Sequence, residues 1–246
     1  MAKAPCLFAT QSITFDHHDG PYTFEKAVAD FGNLSSGWNE ARAFITANQC
    51  RIKLCKNALS ASGGMIATYD VAHGSEYTTT FKVKFDAGFE WCTGGKLGPG
   101  FFIGDGAAAG GGCDGKGGSA RLVWHKHRTT GDVILQAYAY HADQPGRYGE
   151  SFGRYPPHGS LARDQCYEVT IYVKSNTGSN RNGSLRVSIE GQDICQKEMR
   201  WTTDDSKRLI TRMEFATFRG GATPDYMSAN DTYVYYDMLT WACLAP

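Results

Sequence analysis

The sequence has no excess of charge of either sign. Its 246 residues include 25 lysines and arginines and 25 aspartates and glutamates, so the formal net charge is zero. A neutral chain has no overall basic field that would attract nucleic acid, and we predict no nucleic-acid partner. The sequence also lacks any run near the ~18 apolar residues of a membrane-spanning helix, so we predict no membrane partner.

Closely spaced cysteine pairs are also missing. The eight cysteines are scattered and contain no Cys-x-x-Cys motif, which argues against a zinc ribbon. An even, scattered set favours disulfide bonds instead. Proximity along the chain predicts four pairs, namely Cys50 with Cys55, Cys92 with Cys113, Cys166 with Cys195, and Cys6 with Cys243.

Other features also favour an oxidising compartment. Asn33, Asn182 and Asn230 each begin an Asn-x-Ser/Thr triplet, the acceptor pattern for N-glycosylation. The first residues, "MAKAPC", have neither the charged nor the apolar region of a signal peptide, and we interpret this as the result of its removal. The sequence therefore predicts a secreted, extracellular protein. A cytosolic protein with eight free thiols is the alternative.

Helical patterns are rare, and only Phe24–Phe31 has one. Many stretches rich in β-branched and aromatic residues, without alternating helices, indicate an all-β antiparallel sandwich. With no internal repeat or linker, we predict a single domain over residues 1–246. The glycine-rich stretch Gly94–Gly118 is predicted to be mostly loop. The predicted strands are Tyr77–Phe85, Arg121–Trp124, Val133–Tyr140, Tyr167–Lys174, Ser184–Glu190, Leu209–Phe218 and Thr232–Trp241.

One predicted hairpin, Ser119–His141, has an unusual polar face. Side chains alternate between the faces of a strand, so Leu122 and Trp124 point away from Ser119 and Arg121. If the two strands pair, one face displays a serine, an arginine, a glutamine and two tyrosines. Aromatic rings stack on sugars, and a guanidinium group can hold a carboxylate through two parallel hydrogen bonds. An ordinary solvated face is the alternative. The five residues are Ser119, Arg121, Gln136, Tyr138 and Tyr140.

A local cationic cluster accompanies this hairpin. Lys96 lies between glycine pairs, which allow the backbone to approach a ligand closely. The segment from Gly94 to Gly131 has a net charge of +3 in a chain that is neutral overall. Such a local field suits an anionic partner of limited reach.

Several motifs together resemble polysaccharide lyase family 14, which includes alginate lyases and related enzymes acting on glucuronic acid polymers. They are "GGKLGPG", "SARLVW", "YAYH" and "FRGG", and the resemblance spans roughly Phe85 to Trp241. It implies a β-jelly roll with a concave substrate groove. It also places the family's lysine at Lys96, its serine and arginine at Ser119 and Arg121, and its tyrosines at Tyr138 and Tyr140. The family usually reads GGKLPGL where this chain reads "GGKLGPG", a change that points to a branch with a different uronate polymer as substrate.

The resemblance implies cleavage of an acidic polysaccharide by β-elimination, without a cofactor or metal. Arg121 is assigned to the substrate carboxylate, and Ser119 and Gln136 to orienting the sugar. Tyr140 is the first candidate for proton transfer, with Tyr138 beside it, and Lys96 is either the base or an electrostatic stabiliser. The division between lysine and tyrosine stays open, because both titrate near pH ~10 when free.

Two histidines and two alternative functions complete the predictions. His125 and His141 are predicted substrate contacts, and no third ligand lies near His125 and His127 to complete a metal site. We predict a monomer. A non-catalytic sugar-binding jelly roll would use the same aromatic and cationic groups. A glycoside hydrolase would instead release reducing ends without an unsaturated product.

Overall fold

A computed structural model describes residues 9–246 of the chain. These residues form two short α-helices, α1 (Phe24–Phe31) and α2 (Ser60–Gly63), two 3-10 helices (Asp205–Lys207 and Pro224–Tyr226), and sixteen strands. The strands are β1 (Gln11–Ile13), β2 (Gly20–Pro21), β3 (Leu34–Ser36), β4 (Ala43–Thr46), β5 (Gln49–Leu54), β6 (Met65–Gly74), β7 (Glu76–Phe85), β8 (Gly94–Gly104), β9 (Gly117–Lys126), β10 (Val133–Tyr140), β11 (Glu150–Tyr155), β12 (Cys166–Lys174), β13 (Gly183–Ile189), β14 (Gln192–Met199), β15 (Ile210–Arg219) and β16 (Thr232–Ala245).

The strands form two antiparallel sheets. One has nine strands, with the order β14-β13-β12-β7-β16-β5-β4-β2 and β1 paired to β16. The other has seven strands in the order β11-β10-β9-β8-β15-β6-β3. The predicted all-β sandwich of jelly-roll type is confirmed.

The core lies between the sheets and follows from the alternation of side chains along each strand. In β7 the residues Tyr77, Phe81, Val83 and Phe85 are buried and alternate with partly exposed threonines and lysines. In the seven-stranded sheet Trp124 packs edge-on against Phe85, which joins the two sheets. Each large buried side chain stabilises the fold by about 1.5–3 kcal/mol relative to leaving it exposed. The opposite face of the seven-stranded sheet is therefore free to carry polar groups.

Helix α1 has the predicted bounds. The side chain of Thr23 accepts a hydrogen bond from the Lys26 amide at 3.3 Å and caps its N-terminus. Gly32, with a φ of 75°, ends it. Ala27 and Phe31 face the core. No helix in residues 9–246 combines the length and apolarity needed to cross a membrane.

The prediction of a loop over Gly94–Gly118 is wrong in its first half, because Gly94–Gly104 is the central strand β8. Its glycines make room for neighbouring strands. A Cβ atom on Gly95 would lie 2.0 Å from the Trp124 ring and 2.2 Å from the Phe218 carbonyl oxygen. At Gly98, φ is 58° and the amide donates to the Tyr236 hydroxyl at 2.9 Å, where the register with β9 shifts.

The three predicted disulfides among the described cysteines are wrong, since all six of these cysteines are free thiols. Strand β5 separates Cys50 from Cys55 by five extended residues, about 16 Å, whereas a disulfide tolerates about 7 Å between Cα atoms. Cys92 and Cys113 precede opposite ends of the β8–β9 hairpin. Cys166 is exposed and Cys195 is buried, with β13 between their strands. The fourth predicted pair includes Cys6, which lies outside the described residues.

The free thiols should differ in reactivity. Cys166 is exposed, so a thiol reagent should label it in the native protein. Cys50 is fully buried, and burial raises the pKa of its thiol, so it should react only after unfolding. Peptide mass mapping of protein labelled before and after denaturation, without reductant, measures both. Labelling of Cys166 only after reduction would show that it is oxidised and contradict this account.

Candidate active site

The register of the β9–β10 hairpin places the predicted polar residues on one face. Tyr140 lies opposite Ser119, and Tyr138 lies opposite Arg121. Gln136 lies two residues before Tyr138, on the same face. The other face carries buried side chains of the core. These are Ala120, Leu122, Trp124, Leu135, Ala137 and Ala139.

Strand β8 brings Lys96 to the same face. Lys96 pairs with Val123, two residues from Arg121, so the two cations point to the same side of the sheet. The Lys96 Nζ atom lies 4.1 Å from the centre of the Tyr138 ring. Lys96 therefore lies beside the predicted tyrosine pair. A strand positions it, whereas the sequence predicted a loop.

The environment of Lys96 favours its neutral amine. Burial is the main cause that lowers its pKa to about 7, and the Arg121 charge acts in the same direction. The carboxylate of Glu214 opposes this shift. At neutral to mildly alkaline pH a large fraction of Lys96 is therefore unprotonated and able to accept a proton.

The two tyrosines differ in exposure and contacts. Tyr138 is half-buried, and its hydroxyl accepts a hydrogen bond from the Gly149 amide at 3.1 Å. Burial, together with the neighbouring Tyr140 hydroxyl, raises the pKa of Tyr138, so Tyr138 stays protonated. Tyr140 is buried, and its hydroxyl accepts from the Gly110 amide at 2.9 Å. Tyr138 is therefore the tyrosine that reaches the groove, while Tyr140 anchors a loop.

Arg121 forms a buried ion pair that sequence reasoning missed. Its Nε atom lies 3.3 Å from Oε2 of Glu214 on β15, and both side chains are less than a tenth exposed. Burial raises the pKa of Glu214, whereas Arg121 and Lys96 lower it. The sequence does carry a signal for Glu214. The core residues Met213 and Phe215 flank it, so alternation along β15 places Glu214 on the opposite face of the sheet. We infer that Glu214 orients the guanidinium group.

Comparison with known families decides the assignment. The model of polysaccharide lyase family 14 matches residues 57–239. This chain belongs to polysaccharide lyase family 14. The predicted lyase is thus favoured over the alternative, a sugar-binding protein without catalysis.

Solved structures of alginate lyases support the assignment of this chain to the lyase family. Alginate lyase Aly36B is 43% identical, with a TM-score of 0.93 and coverage of 96% of this chain and 97% of that chain. A variant of Aly36B with a lysine and a tyrosine replaced by alanine, in complex with an alginate tetrasaccharide, is 42% identical, with a TM-score of 0.93 and coverage of 96% and 97%.

A more distant structure shares the fold of the lyase. The alginate lyase from Aplysia kurodai is 22% identical, with a TM-score of 0.72 and coverage of 96% of this chain and 98% of that chain. A comparison with curated proteins finds no match.

Two predicted substrate-binding residues of the lyase contact protein groups. The Ser119 hydroxyl donates to the Ala107 carbonyl at 2.7 Å and is fully buried, so it holds the loop after β8. Gln136 is partly exposed, and its Nε2 donates to the Gly153 carbonyl at 2.8 Å. The remaining amide oxygen of Gln136 is available for a sugar hydroxyl.

The two predicted histidines lie further from the centre of the lyase site. His141 follows β10 and is buried, with Nε2 2.7 Å from a carboxylate oxygen of Glu150. His125 lies on the groove face, opposite Gly94 at the end of β9. Burial lowers the pKa of His125, and the nearby His127 and Arg128 add to this effect. Substrate contact at both histidines stays a prediction.

Proposed function

We propose that this lyase cleaves a β-1,4-linked uronate polymer, in the first place the polymannuronate of alginate, by β-elimination with Lys96 as the proton carrier. The observation that carries the proposal is a lysine with a pKa of about 7 beside Arg121 and Tyr138 on one face of the sheet. A general base works best when its pKa lies near the working pH.

Arg121 would make the C5 proton acidic enough to remove. A guanidinium group paired with the C6 carboxylate offsets the charge that develops there when the C5 proton leaves. Within the described residues, the one hydrogen bond that Arg121 donates is a long contact of 3.4 Å from Nη2 to the Ala107 carbonyl. The guanidinium group therefore keeps donors free for a substrate carboxylate.

Lys96 is also the better acid for the departing O4. After taking the C5 proton, an ammonium group with a pKa of about 7 gives it up readily. Tyr138 is a weaker acid than free tyrosine, because burial raises its pKa. The sequence left this division between lysine and tyrosine open, with Tyr140 as the first candidate. The electrostatics of the site favour Lys96 for both proton transfers.

A single proton carrier restricts the choice of sugar. It can serve C5 and O4 only when the proton and the leaving oxygen lie on the same side of the ring. This holds for β-D-mannuronate and β-D-glucuronate but not for α-L-guluronate. Polymannuronate comes first because a 42% identical relative was solved with an alginate tetrasaccharide, and glucuronan is the second candidate.

The test is a panel of polymannuronate, polyguluronate and glucuronan, followed by ultraviolet absorbance of the unsaturated uronate product. Initial rates on polymannuronate should exceed those on polyguluronate by at least about tenfold. A faster reaction on polyguluronate would contradict the single-carrier mechanism. New reducing ends without the chromophore would indicate hydrolysis.

Replacing Tyr138 with phenylalanine tests the proton assignment. The ring and its contact with Lys96 should remain, so the loss in kcat should be at least about tenfold smaller than the loss caused by Lys96→Ala. Steady-state kinetics on polymannuronate give both values, and the Tyr140→Phe variant serves as the matched control. Losses of equal size in Tyr138→Phe and Lys96→Ala would instead make Tyr138 the acid.

A further inference from the structure

A second guanidinium group lies next to the proposed catalytic centre. Arg212 on β15 pairs in register with Phe102 on β8, which in turn pairs with Ser119 on β9. The guanidinium carbon of Arg212 lies 4.7 Å from the centre of the Phe102 ring, and that of Arg121 lies 5.1 Å from it. The ring thus contacts a cation from each neighbouring strand.

We propose that Arg212 binds the carboxylate of a second uronate of the polymer, adjacent to the sugar whose carboxylate Arg121 holds. This inference rests on the proposed function, because it assumes a substrate with a carboxylate on every sugar. Both guanidinium carbons are close to the same ring centre, so they lie less than about 10 Å apart. Within that limit, the two groups can reach carboxylates of neighbouring sugars in a β-1,4-linked chain.

Arg212 is free to bind such a group. It forms no hydrogen bond and no ion pair with any of residues 9–246, and its Nε atom is buried without a partner. A buried donor without a partner is costly, and a bound carboxylate would remove that cost. Arg121 and Glu214, on the same face, pair with each other.

A cavity opens beside Arg212. Its volume is about 320 Å³, at the small end of the range for ligand pockets. The nearly buried Phe102 ring and the loop after β8 form its walls. The lining residues are Thr68, Phe102, Asp105, Gly106, Ala107, Ala108 and Arg212.

Two nearby carboxylates are already paired with other cations. Asp105 in the cavity wall pairs with Lys207 at 2.7 Å. Glu214 pairs with Arg121, and Arg212 lowers the pKa of Glu214 only through its longer-range charge. Within residues 9–246 these two carboxylates leave Arg212 available to a polymer that carries regular negative charges.

The test compares Arg212→Gln with Arg186→Gln, which removes an exposed arginine from the other sheet. In Arg212→Gln the KM for polymannuronate should rise about tenfold or more while kcat stays within about twofold. Arg186→Gln should leave both constants unchanged. Arg212→Lys should recover part of the affinity, because it keeps the charge but loses the planar fork.

A binding measurement separates recognition from catalysis. Calorimetric titration of the Lys96→Ala protein with an alginate trisaccharide should show a similar loss of affinity when Arg212→Gln is added. An unchanged KM in Arg212→Gln, or a fall in kcat at constant KM, would overturn this inference alone, provided that the wild type forms unsaturated product. No product from any uronate polymer would overturn the inference together with the proposed function.

Discussion

Lys96→Ala should abolish nearly all turnover, with kcat lower by about 10⁴-fold, the upper end for loss of a general acid–base group. Lys96 carries out both proton transfers, so no second group can replace it as base or acid. Production of unsaturated uronate from polymannuronate, measured over hours at high enzyme concentration, quantifies the residual rate. The fold should survive, because Lys96 lies on the face of β8 that points away from the core, so its truncation leaves no core cavity.

The matched control is Lys126→Ala, at the exposed end of β9. It removes a lysine from the neighbouring strand, outside the site, and should keep normal turnover. A small primary amine in the assay should restore part of the Lys96→Ala activity, because it can enter the vacated space and act as the base. Near-normal turnover of a folded Lys96→Ala protein would refute the mechanism.

Arg121→Gln should lower kcat/KM by about 10²–10³-fold, the range for loss of one group that stabilises a developing negative charge. It should also destabilise the fold, because Glu214 would be left buried without its partner, at a cost of up to about 3–5 kcal/mol. Chemical denaturation and steady-state kinetics measure the two effects separately.

The double variant Arg121→Gln/Glu214→Gln separates catalysis from stability. It replaces the buried ion pair with two neutral amides of similar shape, so most of the stability should return. Activity should not return, since no guanidinium group would remain to hold the C6 carboxylate of the reacting sugar. A double variant with near wild-type kcat/KM would show that Arg121 acts only by supporting the fold.

Sequence patterns predicted the elements whose signals are local. Val133–Tyr140 and the helix Phe24–Phe31 have their predicted bounds, because alternation, periodicity and a threonine cap lie within a few residues. Strand β8 was missed because the reason for its glycines is steric. At Gly95 a side chain would clash with the Trp124 ring and the Phe218 backbone, which are distant in the sequence.

Contacts between residues distant in the sequence also explain why two residues of the site were not predicted. Glu214 and Arg212 join the site only because β15 pairs with β8, whose residues lie more than a hundred positions earlier. Nothing near Glu214 in the sequence indicates that pairing. The three cysteine pairs among the described residues failed for a related reason, since an even count does not measure the distance between two residues.

The most direct test of the central claim is the pH dependence of kcat/KM on polymannuronate. Lys96 must be neutral in the free enzyme to accept the C5 proton, so kcat/KM should rise with pH through an apparent pKa of about 7 and level off above it. An acidic limb near pH ~4 would instead point to a carboxylate base, and a profile that is flat between about pH 5 and 8 would contradict the assignment of Lys96.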